Sequence, residues 1–483
     1  MVKFATLLTP QQVERVHQAS LEILDEVGML VHNPKARQIF TKHGCKLDAE
    51  TNIVKFPASV IEEYRQQTPA RFTFYGREAR YDRTIPDDRP VIVTASSAPN
   101  IIDPVTGQER RSRSDDIACI AYLVNELPGY DVFSISTLAD DAPNGQFTMA
   151  RLYPSLKNCL KPVRTNAPDR RDAEQILQIG ALIAGSESAF FERPFITAHF
   201  CPVVSPLTID VDSTELLIFF AERGLPVYPS IVPNGGLTSP MSLLGTLAQG
   251  NAEYLATTAL MQMVRPNTPT IYSTLPTIGD MRTGAYASGG IECGMLHMAF
   301  AQMARFYNVP CGGYIGLTNS KINDAQSGYE TGMSSVAGFL GGADMLNMSG
   351  LLDALKAFDF AKAVIDDEIA LMLKRIDRGF EFTEENMALD AIARVGPGGN
   401  FMLEDSTVKW MKTAGLLTKI ADRDTRDTWE AHGAPDTHTK ALQRARQILS
   451  RPNRAVFSAE LDTRIRTEFP GLVPGEATLP AGW

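Results

Sequence analysis

Between Cys311 and Gly332 the chain reads CGGYIGLTNSKINDAQSGYETG. A short apolar run gives way to hydroxyl and amide side chains beside one aromatic, Tyr314. Asp324, Gln326 and Glu330 then follow at the start of a helical pattern. Polar groups gathered where an apolar strand stops are what a binding site at a strand end requires. Similar endings recur along the chain. His199-Phe200-Cys201-Pro202 closes one apolar run, and Tyr228 and Ser230 lie in another. The segment STLPTIGDMRTGAYASGGIE carries Asp280, Arg282, Tyr286 and Glu292, and Met345, Asn347, Met348 and Ser349 end a last run. Aromatic faces attract a quaternary ammonium group by about 2 kcal/mol or more once both are dry. Arg282 offers a planar fork able to hold a carboxylate through two parallel bonds. The mixture suits a small ligand with a cationic head and an anionic tail, and Glu292, Asp324 and Glu330 are the carboxylates placed to take part in catalysis.

Each of these residues also has a purely structural use. Arg282 can pair with Asp280 as a loop clamp, and Asp324 can cap its helix. Glu292 is favourably placed at a helix start by the helix dipole alone. His199 can be a satisfied buried imidazole, and Tyr228 and Tyr272 can be packing residues. Glu292, Cys293 and His297 are spaced i, i+1 and i+5, which does not put all three on one helical face. Cys311 begins its strand, at the far end from Cys201, so no intrinsic metal is expected. No Gly-x-Ser-x-Gly nucleophile elbow is present.

The elements that must position these residues form a regular series. Apolar runs begin at Val91, Asp131, Lys161, Pro194, Pro226, Pro269, Pro310 and Ala343, roughly 30–45 residues apart, the length of a strand plus a helix and its loops. Helical patterns fill the gaps, for example over 172–185, 213–224, 243–264 and 293–308. Eight alternations, without a Gly-rich dinucleotide loop near the first strand, predict an α/β fold built on a (β/α)8 TIM barrel rather than an open doubly wound sheet. In such a barrel the site lies at the carboxyl ends of the strands, where all the segments above fall. The expected organisation is an N-terminal, mainly helical extension over 1–85, the barrel over 86–372, and a C-terminal helical extension and tail over 373–483. In the first extension Thr9 and Gln12 have the spacing of a capping box, FPASVIEEYRQQTP reads as a second helix, and RFTFYGREARYD is β-like. Both flanks are expected to serve packing or oligomerisation.

Composition bounds the partners. With 46 basic against 56 acidic residues, a net charge of −10 and no basic tract, nucleic acid and anionic membranes are excluded as favoured partners. No run of about 18 apolar residues and no signal-peptide pattern appear, and six scattered cysteines suit a reducing cytoplasm. Helical flanks on a barrel are compatible with a homo-oligomer.

The stretches SPMSLLGTLAQGNAEYLA (239–256), PTIGDMRTGAYASGGIE (276–292), TNSKINDAQSGYE (318–330) and AKAVIDDEIA (361–370) carry a resemblance. With the N-terminal LLTPQQVERVHQASLEILDEVGMLV and the tail over 396–450, the chain resembles the trimethylamine methyltransferase family. The likeness is to its branch without pyrrolysine, which includes glycine betaine:corrinoid protein methyltransferase. The resemblance implies a TIM barrel that passes a methyl group from a methylated amine to the cobalt of a corrinoid (cobalamin-type) cofactor, carried by a separate protein docked over the barrel mouth. All 483 residues are standard amino acids, so the pyrrolysine of trimethylamine-specific members is absent, which argues for a quaternary amine such as a betaine. One departure is Asn400, where the family's tail pattern leads one to expect histidine; it puts a role of the tail in the site in doubt. The competing readings are the same barrel with tetrahydrofolate or a thiol as methyl acceptor, and a betaine-binding protein without turnover.

Overall fold

Mostly apolar segments set the positions of eight short parallel strands, and each strand but the last returns to the next through a helix. The computed structural model describes residues 4–348 and 350–483; Ser349, expected at the end of the eighth strand, lies outside the described residues. The strands are β1 Val91–Val93, β2 Phe133–Ser134, β3 Val163–Thr165, β4 Ile196–Phe200, β5 Val227–Ile231, β6 Tyr272–Thr274, β7 Cys311–Gly313 and β8 Met345–Asn347. Between and after them run α1 Ser114–Glu126, α2 Met149–Asn158, α3 Arg170–Ala184, α4 Asp212–Glu222, α5 Leu243–Val264, α6 Ile291–Tyr307, α7 Ala325–Gly341 and α8 Phe360–Arg378. The sheet order is β1-β8-β7-β6-β5-β4-β3-β2, every pairing is parallel, and a bridge from Val93 to Val132 joins its two ends. This is the expected (β/α)8 barrel, with all eight strands inside the segments read from the sequence.

The glycine pair of β7 has a steric cause. A Cβ on Gly312 would lie 2.2 Å from the carbonyl oxygen of Met345 in β8, so only glycine lets these strands approach. Three residues after the strand, Gly316 turns the chain at φ +87°, and a Cβ there would meet the Ser335 hydroxyl at 2.2 Å. The helix that follows starts at Asp324, whose carboxylate accepts from the Ser327 amide at 3.0 Å.

One end of the barrel is plugged. The antiparallel hairpin Phe72–Phe74 with Arg83–Ile85 packs Phe72, Phe74 and Ile85 against Val91, Val93, Val132, Tyr228, Ile271 and Met345. The Phe72 and Phe74 rings meet Tyr228 edge-on at 5.8 and 6.5 Å. The other end carries two small sheets built from strand-end loops. One joins Asn234–Gly235, Thr277–Asp280 and Ala285–Tyr286; the other joins Asn100–Ile102, Glu109–Arg111, Leu351–Leu352 and Ala357–Phe358.

Apart from that plugging hairpin the flanks are mainly helical, as expected, and pack on the outside. The helix Pro10–Glu22 begins in the Thr9–Gln12 capping box and lies along α5, where Ser20 donates to the Ala248 carbonyl at 2.9 Å. The short strands Met29–Val31, Lys46–Leu47 and Ile53–Lys55 were not anticipated; the first pairs in parallel with Thr208–Ile209 beyond β4. At two or three residues each they are too short for an alternation to show. In the C-terminal flank the helix Thr437–Leu449 packs on α8, and the tail returns to α1 and α2 through Cys119 and Asn158. No helix among the described residues is long and apolar enough to cross a membrane.

Candidate functional site

Strand alternation decides which side chains reach the barrel interior, because successive residues point to opposite faces. Arg164 on β3, His199 on β4 and Tyr228 on β5 point inward, and Tyr314 joins them from just after β7. Arg164 is 1% exposed and forms the centre of the group. Its guanidinium donates to the Ser134 hydroxyl at 2.8 Å, Tyr228 at 2.9 Å, Tyr314 at 3.1 Å and Ser96 at 3.3 Å. Asn347 on β8 accepts from the same group when its amide is assigned with the oxygen toward the guanidinium, the orientation that satisfies both. Ser96 and Tyr314 share a further hydroxyl bond of 2.6 Å. Five of the eight strands, or the turns just beyond them, thus meet on one arginine.

His199 fills the side of this cluster, with ring centroids 5.2 Å from Tyr228 and 6.2 Å from Tyr314. Burial and then the charge of Arg164 hold its pKa well below the ordinary histidine value, so the ring is neutral at physiological pH. Its Nε2 is buried without a hydrogen-bond partner among the described residues. Burial also raises the Tyr228 hydroxyl above its usual range. Beneath Tyr314, His297 of α6 lies 3.0 Å from the Tyr314 carbonyl and is pushed down to about 4 by burial.

A second arginine stands beside the first. Arg151 of α2 donates to the Thr137 carbonyl at 3.1 Å, to Asn166 at 2.9 Å and to Ser97 at 3.3 Å. Burial lowers its pKa to about 10, which leaves it charged at neutral pH. Arg151, Arg164 and His199, with Ser96, Ser97 and Ser134, border a recess of about 10 Å³, room for about one water molecule. Cys201, two residues beyond His199, is exposed as a residue, while burial of its thiol pushes that group up to about 11. The Tyr286 hydroxyl is pushed up by burial and lies close enough to Tyr314 and Cys201 for charge coupling.

The other residues singled out in the sequence are placed elsewhere. Phe200, next to His199, faces outward and packs on Phe220 of α4 at 5.7 Å. Tyr272 also faces outward and stacks on Tyr254 of α5 at 3.7 Å. Arg282 is 87% exposed and holds both oxygens of Asp280, at 2.9 and 2.5 Å; this is the loop-clamp arrangement. Asp324 caps α7, and its carboxyl is held below the usual range by hydrogen bonds from the Ser327 amide and the Ser320 hydroxyl. Glu330 accepts from Thr318 at 2.7 Å, the Asn319 amide at 2.8 Å and Gln326 at 2.9 Å, so Glu330 and Gln326 brace the loop after β7. Glu292 sits in the first turn of α6. Phe200, Arg282, Tyr314 and Asp324 therefore do not converge on one cavity. No group of three His, Cys, Asp or Glu able to hold a metal occurs among the described residues. Asn400 lies on an exposed segment, its side chain accepting from the Met402 amide at 2.7 Å.

Arg151 and Arg164 were missed. The available signal was Arg164 itself, a charge in the middle of the strand segment KPVRTNA. A charge at an inward position of a buried strand must have partners inside the barrel.

A parallel barrel with a polar, aromatic-lined interior open at the strand ends belongs to a class that hosts many chemistries. The comparisons narrow it. Residues 2–469 match the family model described as trimethylamine methyltransferase. The chain is 33% identical over 463 residues to a glycine betaine methyltransferase of Desulfitobacterium hafniense, covering 95% of each protein. It is 30% identical over 439 residues to a trimethylamine methyltransferase of another strain of that organism, covering 91% of this chain and 88% of the relative. Against a trimethylamine methyltransferase of Methanosarcina barkeri the identity is 29% over 464 residues, with 92% and 90% covered. The chain belongs to the trimethylamine methyltransferase family.

Proposed function

We propose that the protein transfers a methyl group from a quaternary amine of the betaine type to the corrinoid cofactor of a partner protein. The observation that carries this reading is the match along nearly the whole chain to a glycine betaine methyltransferase. A chain of standard residues adds support, because a quaternary nitrogen needs no adduct to become a leaving group. Its C–N bond breaks with the electron pair staying on nitrogen, and a neutral tertiary amine departs. No proton has to be delivered, so the neutral His199 is no obstacle. The corrinoid, when docked, supplies a strongly nucleophilic Co(I). This chain's residues have the remaining work: to bind the amine, aim its N–CH3 outward and keep water away.

The rim fits a docked protein. Leu237, Met241 and Met281 are 50, 49 and 61% exposed, and both methionine sulfurs lie about 3 Å from where a Cβ on Gly236 would sit. Such a clustered, methionine-rich apolar surface at a strand-end mouth suits a partner that must dock and leave. We assign substrate contact to His199, Tyr286 and Tyr314, and a supporting role to Tyr228, which holds Arg164, and to Gln326 and Glu330. Residues 86–372 are the catalytic unit in this reading, with 1–85 and 373–483 bracing it.

The test is methyl transfer to free Co(I) cobalamin from a panel of betaines and simple amines, followed spectroscopically as methylcobalamin forms. Methylation by at least one betaine is expected. No transfer from any panel member would remove the reading.

A further inference from the structure

Burying an arginine inside a barrel normally goes with a carboxylate to balance its charge. Here two arginines border one recess, and neither donates to a carboxylate among the described residues. The partners of Arg164 are hydroxyls and an amide oxygen, and those of Arg151 are a carbonyl, an amide and a hydroxyl. These satisfy hydrogen bonds without cancelling charge. His199, held neutral, adds no compensation and leaves Nε2 unpaired beside the recess.

We infer that this recess is an anion subsite in which the two N–H groups of Arg151 left free and the positive charge of Arg164, reached through the Ser96 hydroxyl, hold the carboxylate of a zwitterionic substrate, leaving its ammonium end turned outward into the mouth. The identity of the substrate as a methylated ammonium carboxylate rests on the methyl-transfer reading; the anion subsite rests on the barrel geometry. Orientation follows from the same two charges. A permanent cation is repelled from the recess, and the guanidinium of Arg164 already lies over the rings of Tyr314 and Tyr228, at 5.4 and 6.0 Å. The aromatic faces deepest in the barrel are therefore taken. The ammonium is left with the outer wall near Tyr286 and Cys201, where its methyl groups face the docking rim. Ser96 and Ser97, each bonded to one of the arginines, have rotatable hydroxyls able to turn toward a carboxylate. The recess has room for one oxygen of a carboxylate reaching in from above and none for a whole substrate. The subsite selects amines that carry an acid group over simple alkylammonium ions.

The experiment is calorimetric titration of the full-length protein with 3,3-dimethylbutanoate, the uncharged-carbon isostere of glycine betaine, and with tetramethylammonium, which has no carboxylate. Methyl transfer from glycine betaine is measured on the same preparations. Wild type should bind the isostere, and Arg164→Gln and Arg151→Gln should each weaken it by about 10- to 100-fold. Arg164→Lys, which keeps the charge and loses the fork, should fall between. Thermal melts check that each variant folds; if the glutamine variants do not, wild type and Arg164→Lys decide. Absence of isostere binding to wild type, or equal affinity in every folded variant, overturns the subsite. Betaine turnover without isostere binding would reject the subsite and leave the methyl-transfer reading standing. Isostere binding with no methyl transfer from any amine would do the reverse.

Discussion

Arg164 and Arg282 belong to one barrel, and they differ in whether their charge is spent. Arg282 sits on the loop after β6, 87% exposed, with both oxygens of Asp280 already in its fork. Arg164 is buried at the centre of five strand ends with only neutral acceptors around it. By residue type and position near a strand end, Arg282 was the better sequence candidate for gripping a carboxylate. Its neighbour two positions earlier neutralises it, and water screens what remains. An arginine is a carboxylate receptor where its charge has no other owner, and that condition holds inside the barrel and fails on the rim.

Variants can break or sharpen this contrast. Arg164→Gln carries the largest expected effect, a rise of about 100-fold in KM for a betaine. A change under threefold would erase the distinction between interior and rim. Next comes a pH effect peculiar to the interior. His297 titrates near 6.5 when unfolded and at about 4 when folded, so the unfolded chain takes up its proton first as pH falls. Stability is thereby lost between pH 6.5 and 4, by up to about 3 kcal/mol. Asp344 and Asp367, raised to about 6 by burial, act in the opposite direction. They do so equally in wild type and in His297→Gln. Urea titrations of the two proteins across that window should show wild type losing more stability than the variant, and parallel losses would contradict the assignment.

Smaller effects follow. Tyr314→Phe removes the hydroxyl that bonds Ser96 and Arg164 and should lower kcat/KM by about tenfold; full activity would return Tyr314 to packing. Asp324→Ala removes a helix cap, so the melting temperature should drop slightly while turnover stays within about twofold. The smallest change belongs to Arg282→Gln, which should alter KM by less than about twofold. A selective loss of betaine binding in that variant would restore the rim as the carboxylate site.

The contrast also marks what the sequence could convey. Strands, helices and their order were legible because each is a local pattern: α5 runs over the expected 243–264, and every strand falls within its apolar run. Asp324 as a helix cap and Asp280 as a partner for Arg282 were legible too, being contacts over two or three residues. The interior cluster was not. Arg164 meets Tyr314, 150 residues away, and Ser96, 68 residues away, only because the barrel closes. Phe200 faces outward for a related reason. Adjacent strand residues point oppositely, and which of His199 and Phe200 enters the barrel depends on the sheet register, where His199 pairs with Tyr228.

The most direct test compares kcat/KM for methyl transfer to Co(I) cobalamin from glycine betaine and from tetramethylammonium, in wild type and in Arg164→Gln. A buried, unbalanced arginine predicts that the preference for the betaine over tetramethylammonium falls about 100-fold in the variant, betaine transfer losing far more than tetramethylammonium transfer. A preference that survives the substitution intact would mean that the carboxylate is held elsewhere.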